Sequence, residues 1–254
     1  MITCSLCSGS KGNSIFIKSE KASILIDAGI STRQLCLRLK EIGEAPENID
    51  AIFITHEHSD HLKGVPVFAK RYKCPVFISR FVEKESLEKV KSMEFFVCGD
   101  TITFKDMQIS SFQIPHDAVD PVGFVVRNNG NAIGIATDMG KPTFLIKEKI
   151  RACSTLFLEF NHDEEMLLTG DYPWHLKQRI RSNHGHLSNM DAINLLKDID
   201  SEIIKNIFIS HISEQNNSYD KIKSDILKHL SCKLKNKNFY FTFQNKASNI
   251  ISTV

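Results

Sequence analysis

The sequence predicts an α/β protein in which two β-sheets pack face to face with helices on their outer sides, a four-layer αββα sandwich. The chain opens with short β-rich runs separated by turns, strands that lead into helices follow, and the second half repeats that alternation. No linker or low-complexity stretch interrupts the 254 residues, so one domain over residues 1–254 is expected.

Ile2–Leu6, Ser14–Lys18 and Ser23–Asp27 are β-rich runs set apart by Gly9, Gly12 and charged turns. Ser31 stands three residues before Gln34 in capping-box spacing, and Leu35, Leu39 and Ile42 then share a helical face until Gly43. Ala51–Ile54 is a continuous apolar run of strand length, after which Leu62, Val65, Phe68, Ala69 and Tyr72 recur at helical period. The segment His56-Glu57-His58-Ser59-Asp60-His61 therefore falls at a strand-to-helix turn. Val76–Ser79 and Phe95–Cys98 read as strands with a charged, helical stretch between them. Met107–Ile114, Val122–Asn128 and Ala132–Thr137 form a β series in which Asn129-Gly130 marks a tight hairpin. Farther on, Ser154–Glu159 is a strand and Trp174–Arg181 a helix. Ser188 with Asp191 caps a helix through Leu196, and the strand Asn206–Ser210 precedes the helix Tyr219–Leu230. In such folds the catalytic groups lie on loops at one sheet edge.

Hydrophobic residues make up 42% and charged residues 24%, which excludes a disordered chain. A net charge of +2 neither demands nor forbids a polyanionic partner, because a local patch matters more than the sum. The seven cysteines, Cys4, Cys7, Cys36, Cys74, Cys98, Cys153 and Cys232, are odd in number, and nothing before them reads as an export signal. A reducing cytoplasm is the expected setting. Cys4 and Cys7 have CxxC spacing without a second pair, and read as buried strand cysteines. No apolar run approaches the roughly 20 residues that span a bilayer, so no membrane partner is expected.

The chemistry concentrates after the apolar run Ala51–Ile54. His56 and His58, two apart on extended chain, project to one side and can grip a single ion, while Asp60 and His61 at the helix start are turned to serve a second. Imidazoles with a carboxylate suit zinc, manganese or iron, zinc being the default. Three histidines and two acids within six residues, directly after a buried strand, are unlike ordinary surface.

This segment resembles the HxHxDH signature of the metallo-β-lactamase superfamily, whose other motifs follow in order. Asp27 lies in Leu25-Ile26-Asp27-Ala28-Gly29, His116 in Ile114-Pro115-His116-Asp117, Asp138 in Ala136-Thr137-Asp138-Met139-Gly140, and His211 in Ile209-Ser210-His211. Taken alone, His116 and His211 read as core or surface histidines; their strand-end positions and the motif order change that. The resemblance implies the metallo-β-lactamase αββα sandwich. It also implies that His56, His58 and His116 bind one ion, that Asp60, His61 and His211 bind the other, and that Asp138 bridges them. Asp27 would orient the histidine loop. Two divalent cations roughly 3.5–4 Å apart lower the pKa of a bridging water and clamp a substrate oxyanion, so hydrolysis of an ester-like bond follows, with Asp60 part of the catalytic set.

The superfamily does not fix the substrate. Asp138 stands where the secreted zinc β-lactamases commonly carry a cysteine, which argues against antibiotic hydrolysis. Leu158–Asp163 and Gly185–Ser188 are similar to the glutamate and Gly-His-Ser/Thr segments that supply a proton-transfer pair in ribonuclease Z. Glu159–His162, Lys177–Arg181 and Gly185–Asn189, with the opening loop Ser8–Asn13, resemble the YycJ (WalJ)-like branch, whose members are nuclease-like with DNA exonuclease action. The resemblance makes His186 the residue that protonates the leaving oxygen or engages a phosphate oxygen, Glu159 the group that fixes its tautomer, and His162 a second candidate. Lys177, Arg179 and Arg181 are candidate phosphate contacts, and Asn13 with the backbone of the 9–13 loop is another. The lysines from Lys221 to Lys237 read as a solvated basic surface.

With no long insertion to form a clamp, an open site is expected, suited to a strand end. The leading expectation is a dinuclear zinc or manganese phosphodiesterase acting on DNA. A small-molecule hydrolase, for a cyclic phosphodiester or a glyoxalase II-like thioester, is the second reading, and a noncatalytic binding module the third. The complete ligand set opposes the last.

Overall fold

The computed structural model describes residues 1–83, 85–88, 90–230 and 236–253. The strands of the first half are β1 (Ile2–Cys7), β2 (Ser14–Lys18), β3 (Ser23–Ile26), β4 (Ala51–Phe53), β5 (Val76–Ser79), β6 (Met93–Phe96), β7 (Thr101–Phe104) and β8 (Met107–Gln113). Those of the second are β9 (Val122–Asn128), β10 (Asn131–Ala136), β11 (Thr155–Glu159), β12 (Asn206–Ser210), β13 (Asn238–Phe241) and β14 (Ile251–Ser252). The helices are α1 (Thr32–Glu41), α2 (Ser59–Leu62), α3 (Val65–Tyr72), α4 (Phe144–Ile150), α5 (Glu164–Thr169), α6 (Trp174–Arg181), α7 (Asn189–Asp198) and α8 (Tyr219–Leu230).

The strands form two seven-stranded sheets, ordered β14-β1-β2-β3-β4-β5-β6 and β13-β12-β11-β10-β9-β8-β7. Strands β3 to β6 run parallel in the first sheet and β10 to β13 in the second, with antiparallel hairpins beside them. Alternation along each strand makes the layers. In β11 Phe157 faces the other sheet while Leu156 and Leu158 face the helices, and in β12 Phe208 stands against Ile207 and Ile209 in the same way. The registered pair Phe157 and Phe208 stacks at 4.3 Å. The inter-sheet core also holds Ile24, Ile26, Phe53 and Phe124. Helices α1 and α3 cover the first sheet through Leu35, Leu39, Val65 and Phe68, and α4, α7 and α8 cover the second through Ile146, Ile193, Leu196 and Ile222. This is the αββα order expected.

Local chemistry explains most element ends. Ser31 Oγ caps α1 by accepting from Gln34 N, and Ser188 caps α7 by accepting from Asp191 N. Asn129 and Gly130 both take positive φ, 47° and 79°, the backbone of a two-residue hairpin turn. Cys4 and Cys7 are buried in β1, and burial pushes the Cys4 thiol up to about 12.

Three expectations need correction. The β6 strand runs over Met93–Phe96 rather than Phe95–Cys98, and it stops at Phe96 because Val97–Asp100 is already a turn, closed by Asp100 N donating to Val97 O at 3.0 Å. Before it, the described residues hold a 3₁₀ turn, Glu85–Leu87, in place of the charged helix. The helix after the histidine segment is split into α2 and α3, since Gly64 N donates to Ala28 O at 2.8 Å and a side chain there would meet Ile30 O at 2.2 Å. Cys232, Lys233 and Lys235 lie outside the described residues. No helix among the described residues is long and apolar enough to cross a membrane.

Candidate metal centre

The carboxyl-terminal ends of β3, β4, β8, β10, β11 and β12 deliver Asp27, the 56–61 segment, His116, Asp138, Glu159 and His211 to one place, as open α/β sheets do at their carboxyl edges. Three of these residues leave their strands in left-handed backbone: Asp27 (φ 63°), Asp138 (φ 58°) and His211 (φ 54°). Non-glycine residues rarely adopt this region, and strain of this kind collects at working sites.

Ligand-type atoms converge in three groups: His56, His58 and His116; Asp60, His61, Asp138 and His211; and Asp138, Glu159, His186 and His211. In the first, His116 Nε2 lies 3.3 Å from His58 Nδ1, and His56 Nε2 is buried without a hydrogen-bond partner. Burial, reinforced by the neighbouring histidines, holds His56 well below the usual histidine range, so its imidazole is neutral. In the second, Asp138 Oδ2 and His211 Nε2 are likewise buried and unpartnered; His211 Nε2 is 3.0 Å from Asp138 Oδ1 without hydrogen-bond geometry. Orphaned buried polar atoms facing one another need a partner, and a divalent cation among them would supply it.

The surrounding hydrogen bonds fix which ring nitrogen faces the centre. Asp27 Oδ2 lies 2.8 Å from His61 Nδ1, while its Oδ1 accepts from Thr55 N at 2.9 Å and its Oδ2 from Thr55 Oγ1 at 2.8 Å. His61 Nε2 is thereby turned to Asp60 and Asp138, at 3.4 and 3.6 Å. His211 N donates to Ser8 Oγ at 2.8 Å, and Asn161 Nδ2 donates to His211 O at 3.1 Å. Glu159, fully buried, accepts from Met139 N through Oε2 at 2.8 Å and pairs with His186 Nδ1 through Oε1 at 2.7 Å. Burial pushes the Glu159 carboxyl up, but His186 and His211 more than offset this and hold it below the usual carboxylate range. His186 Nδ1 is 3.9 Å from Asp138 Oδ1, which puts the Glu159–His186 pair at the edge of the ligand cluster.

Other expected contacts fall elsewhere. Asn13 is buried, its carboxamide exchanging hydrogen bonds with Gly9 and donating to Asp60 Oδ2 at 3.1 Å, so it holds a cluster residue instead of facing solvent. The amides of Gly9, Lys11, Gly12 and Asn13 all have internal acceptors, which leaves Ser10, on the wall of the cavity that also holds His186, as the residue of this loop placed to meet a ligand. Lys177 is buried and donates to Leu168 O and Gly170 O, so it pins α6 to the end of α5 and is not a phosphate contact. Arg179 does line a 160 Å³ cavity with His186 and His211, paired through Nε with Asp117 at 2.5 Å; Arg181 is exposed and does not line it. His162 is buried outside the three groups, and burial lowers it to about 4. Lys221 and Lys237 are engaged, the first with Asp163 and Asp225, the second with Asp200 and backbone carbonyls. Thr55, Ser8 and Asn161 received no role from the sequence, although Ser8 and Asn161 lie in segments that carry the resemblance, because a single hydroxyl or amide shows its partner only once the chain is folded.

A family model described as "Beta-lactamase superfamily domain" matches residues 22–212. Exodeoxyribonuclease WalJ of Streptococcus pneumoniae is 37% identical over 219 residues, 84% of this chain and 81% of that protein. Exodeoxyribonuclease YycJ of Bacillus anthracis is 34% identical over 217 residues, 84% and 82% of the two chains. This chain belongs to the beta-lactamase superfamily and, within it, to the family of WalJ and YycJ. Among solved structures, the metallo-β-lactamase fold protein YhfI from Bacillus subtilis matches with a TM-score of 0.72 at 12% identity, covering 97% of this chain and 98% of that one. The short form of human tRNase Z matches with a TM-score of 0.68 at 15% identity, covering all of both chains. These two likenesses are of fold.

Proposed function

We propose that the chain, as a single domain over residues 1–254, is a dinuclear metal-dependent phosphodiesterase that removes nucleotides from a DNA end. The observation that carries the reading is the Glu159–His186 pair, 2.7 Å apart, beside the ligand-type cluster. The names of the WalJ and YycJ relatives point to the same reaction. His56, His58 and His116 would hold one ion, Asp60, His61 and His211 the other, with Asp138 between them; zinc or manganese suits these donors, and iron is compatible. Bound there, divalent ions supply Lewis-acid activation of water and neutralise charge on the phosphate.

The protein's own residues do the rest. Asp27, through His61 Nδ1, keeps Nε2 directed at the centre. Glu159 holds a proton on His186 Nδ1 and stabilises the imidazolium, whose Nε2 proton passes to the departing oxygen and leaves the neutral Nδ1–H ring on the cavity wall. Arg179, steadied by Asp117, offers its remaining donors to a phosphate. A cytoplasmic setting fits the free cysteines Cys4, Cys7, Cys36, Cys74, Cys98 and Cys153. Incubation with Mn²⁺ and end-labelled single- and double-stranded DNA tests the reading: stepwise release of nucleotides from an end is expected. DNA left intact with Mn²⁺, Zn²⁺ and Mg²⁺, together with thioester turnover, would sink it.

A further inference from the structure

A second cavity, of about 460 Å³, is lined by His116 and lies between the 113–121 segment and the start of α4. Its walls include Pro115, Val119, Pro121, Leu145 and His184, and none of its lining residues is a Lys, Arg, Asp or Glu. Val119 and Leu145 are 63% and 45% exposed, large apolar side chains held open to solvent at the rim. The cavity beside His186 carries the Arg179–Asp117 pair, so the two differ in chemistry: one suits a phosphate, the other a flat, uncharged group with apolar faces.

The neutral cavity is also fixed in register with the candidate metal centre. Val119 N donates to Glu57 Oε1 at 3.0 Å, between His56 and His58 in sequence. Val122 N donates to Thr55 O at 3.0 Å, and Gly140 N, two residues after Asp138, donates to Pro115 O at 3.0 Å. His116 Nδ1 lies 3.2 Å from Gly185 O, which anchors the 184–186 turn whose two histidines face the two cavities. A group seated in this groove is therefore held at a set distance from anything bound at the centre.

We infer that this groove receives a nucleobase next to the scissile phosphate, packed between Leu145, Val119 and the His184 ring. The inference rests on the nuclease reading above and deepens it, assigning specificity to residues outside the metal centre. A base has apolar faces and polar edges; Gln113 and Thr143, which also line the groove, offer hydrogen bonds to an edge. Stacking reads every base by its face, so the apolar walls demand a base without choosing its identity.

Oligonucleotides carrying one abasic site, moved through the first three positions from each end, test this with the Mn²⁺-loaded protein. At one position the wild type should cleave the abasic strand about tenfold more slowly, as loss of one stacked base implies. Val119→Asp and Leu145→Asp, both at exposed positions, should lower kcat/KM on intact DNA by a similar factor and erase that discrimination. Both should retain manganese and the wild-type urea midpoint, as substitutions at exposed positions do, while Leu227→Asp on α8 should behave as wild type. Wild type that cleaves DNA without sensing the missing base, or variants that cleave intact DNA at the wild-type rate, overturns the groove alone. DNA left uncleaved by the wild type overturns the nuclease reading and the groove with it.

Discussion

The two oxygens of Glu159 have separate duties, one accepting from Met139 N and the other from His186 Nδ1. Glu159→Gln preserves the first and removes the charge that stabilises a proton on His186. It should lower kcat on DNA about 100-fold, the scale of general-acid catalysis, with KM and metal content little changed. His186→Ala should match it, and the double variant should be no slower than either single one, because the two residues act as one unit. Steady-state kinetics with metal analysis check this; losses that multiply would separate the residues. A second residue-scale effect concerns stability. Burial lowers His162 to about 4, whereas an unfolded histidine titrates near ~6.5. Between these values only the unfolded state takes the proton. The contribution of neutral His162 is therefore complete above ~6.5 and falls as pH drops to 4, by about 3 kcal/mol. His162→Leu should flatten that part of the profile in metal-free urea denaturation at pH 7.5 and 4.5, and an unchanged profile would contradict it. At this scale the sequence disclosed the histidines and acids, which recur in a fixed order. It did not disclose the roles of Thr55, Ser8 and Asn161, which exist only once the chain brings them beside His61 and His211.

Among elements, the tightest constraint lies where the strand β3 exit crosses the α2 turn. A Cβ built on Gly29 would fall 1.6 Å from Asp60 O, and Gly29 N and Asn13 N donate to Asn13 O and Asp60 O at 2.9 and 2.8 Å. Gly29→Ala must push α2 away, and α2 carries Asp60 and His61. We expect a loss of about 1–3 kcal/mol from the forced contact, and a larger loss of metal from the Asp60–His61 position than from the His56–His58 one. Urea midpoints and metal stoichiometry measure both; full metal content would show that the loop tolerates the shift. The legible elements had strong caps or long periodic runs, such as α1, α6, α8 and β9. Those missed are short. β7 is an edge strand whose residues alternate between exposed and half-buried, β14 has two residues, and the seven residues of α4 leave Phe144 and Leu145 exposed, which blurs its periodicity. Its Thr143 cap, accepting from Ile146 N at 3.3 Å, was the signal available.

For the molecule as a whole, order of motifs along the chain anticipated the sandwich and the convergence of the motif residues, because each motif follows a strand and the strands' parallel ends meet at one edge. The cavities did not show in the sequence, since their walls come from segments far apart in the chain, as with Val119, Leu145 and His184. The same convergence buries Asp27, Asp138 and Glu159 near a common point, beside half-buried Asp60. Without a metal, that negative field must be answered by protons: burial opposes it, but Asp27 and Asp138 raise His61 well above its usual range, and Asp138 with Asp60 and Glu159 does the same for His211. A divalent ion held by these residues would take over this duty and displace those protons, so metal uptake should acidify a weakly buffered solution near neutral pH. It should also stabilise the fold, by about 4 kcal/mol at a free-ion concentration 1,000 times the dissociation constant. Chelation should therefore lower Tm and Mn²⁺ should restore it, with uptake weakening as pH falls because protons compete for the same nitrogens. Calorimetry of the chelated protein titrated with Mn²⁺ in two buffers of different ionisation enthalpy counts the protons released, and a count of zero would mean that His61 and His211 are not ligands.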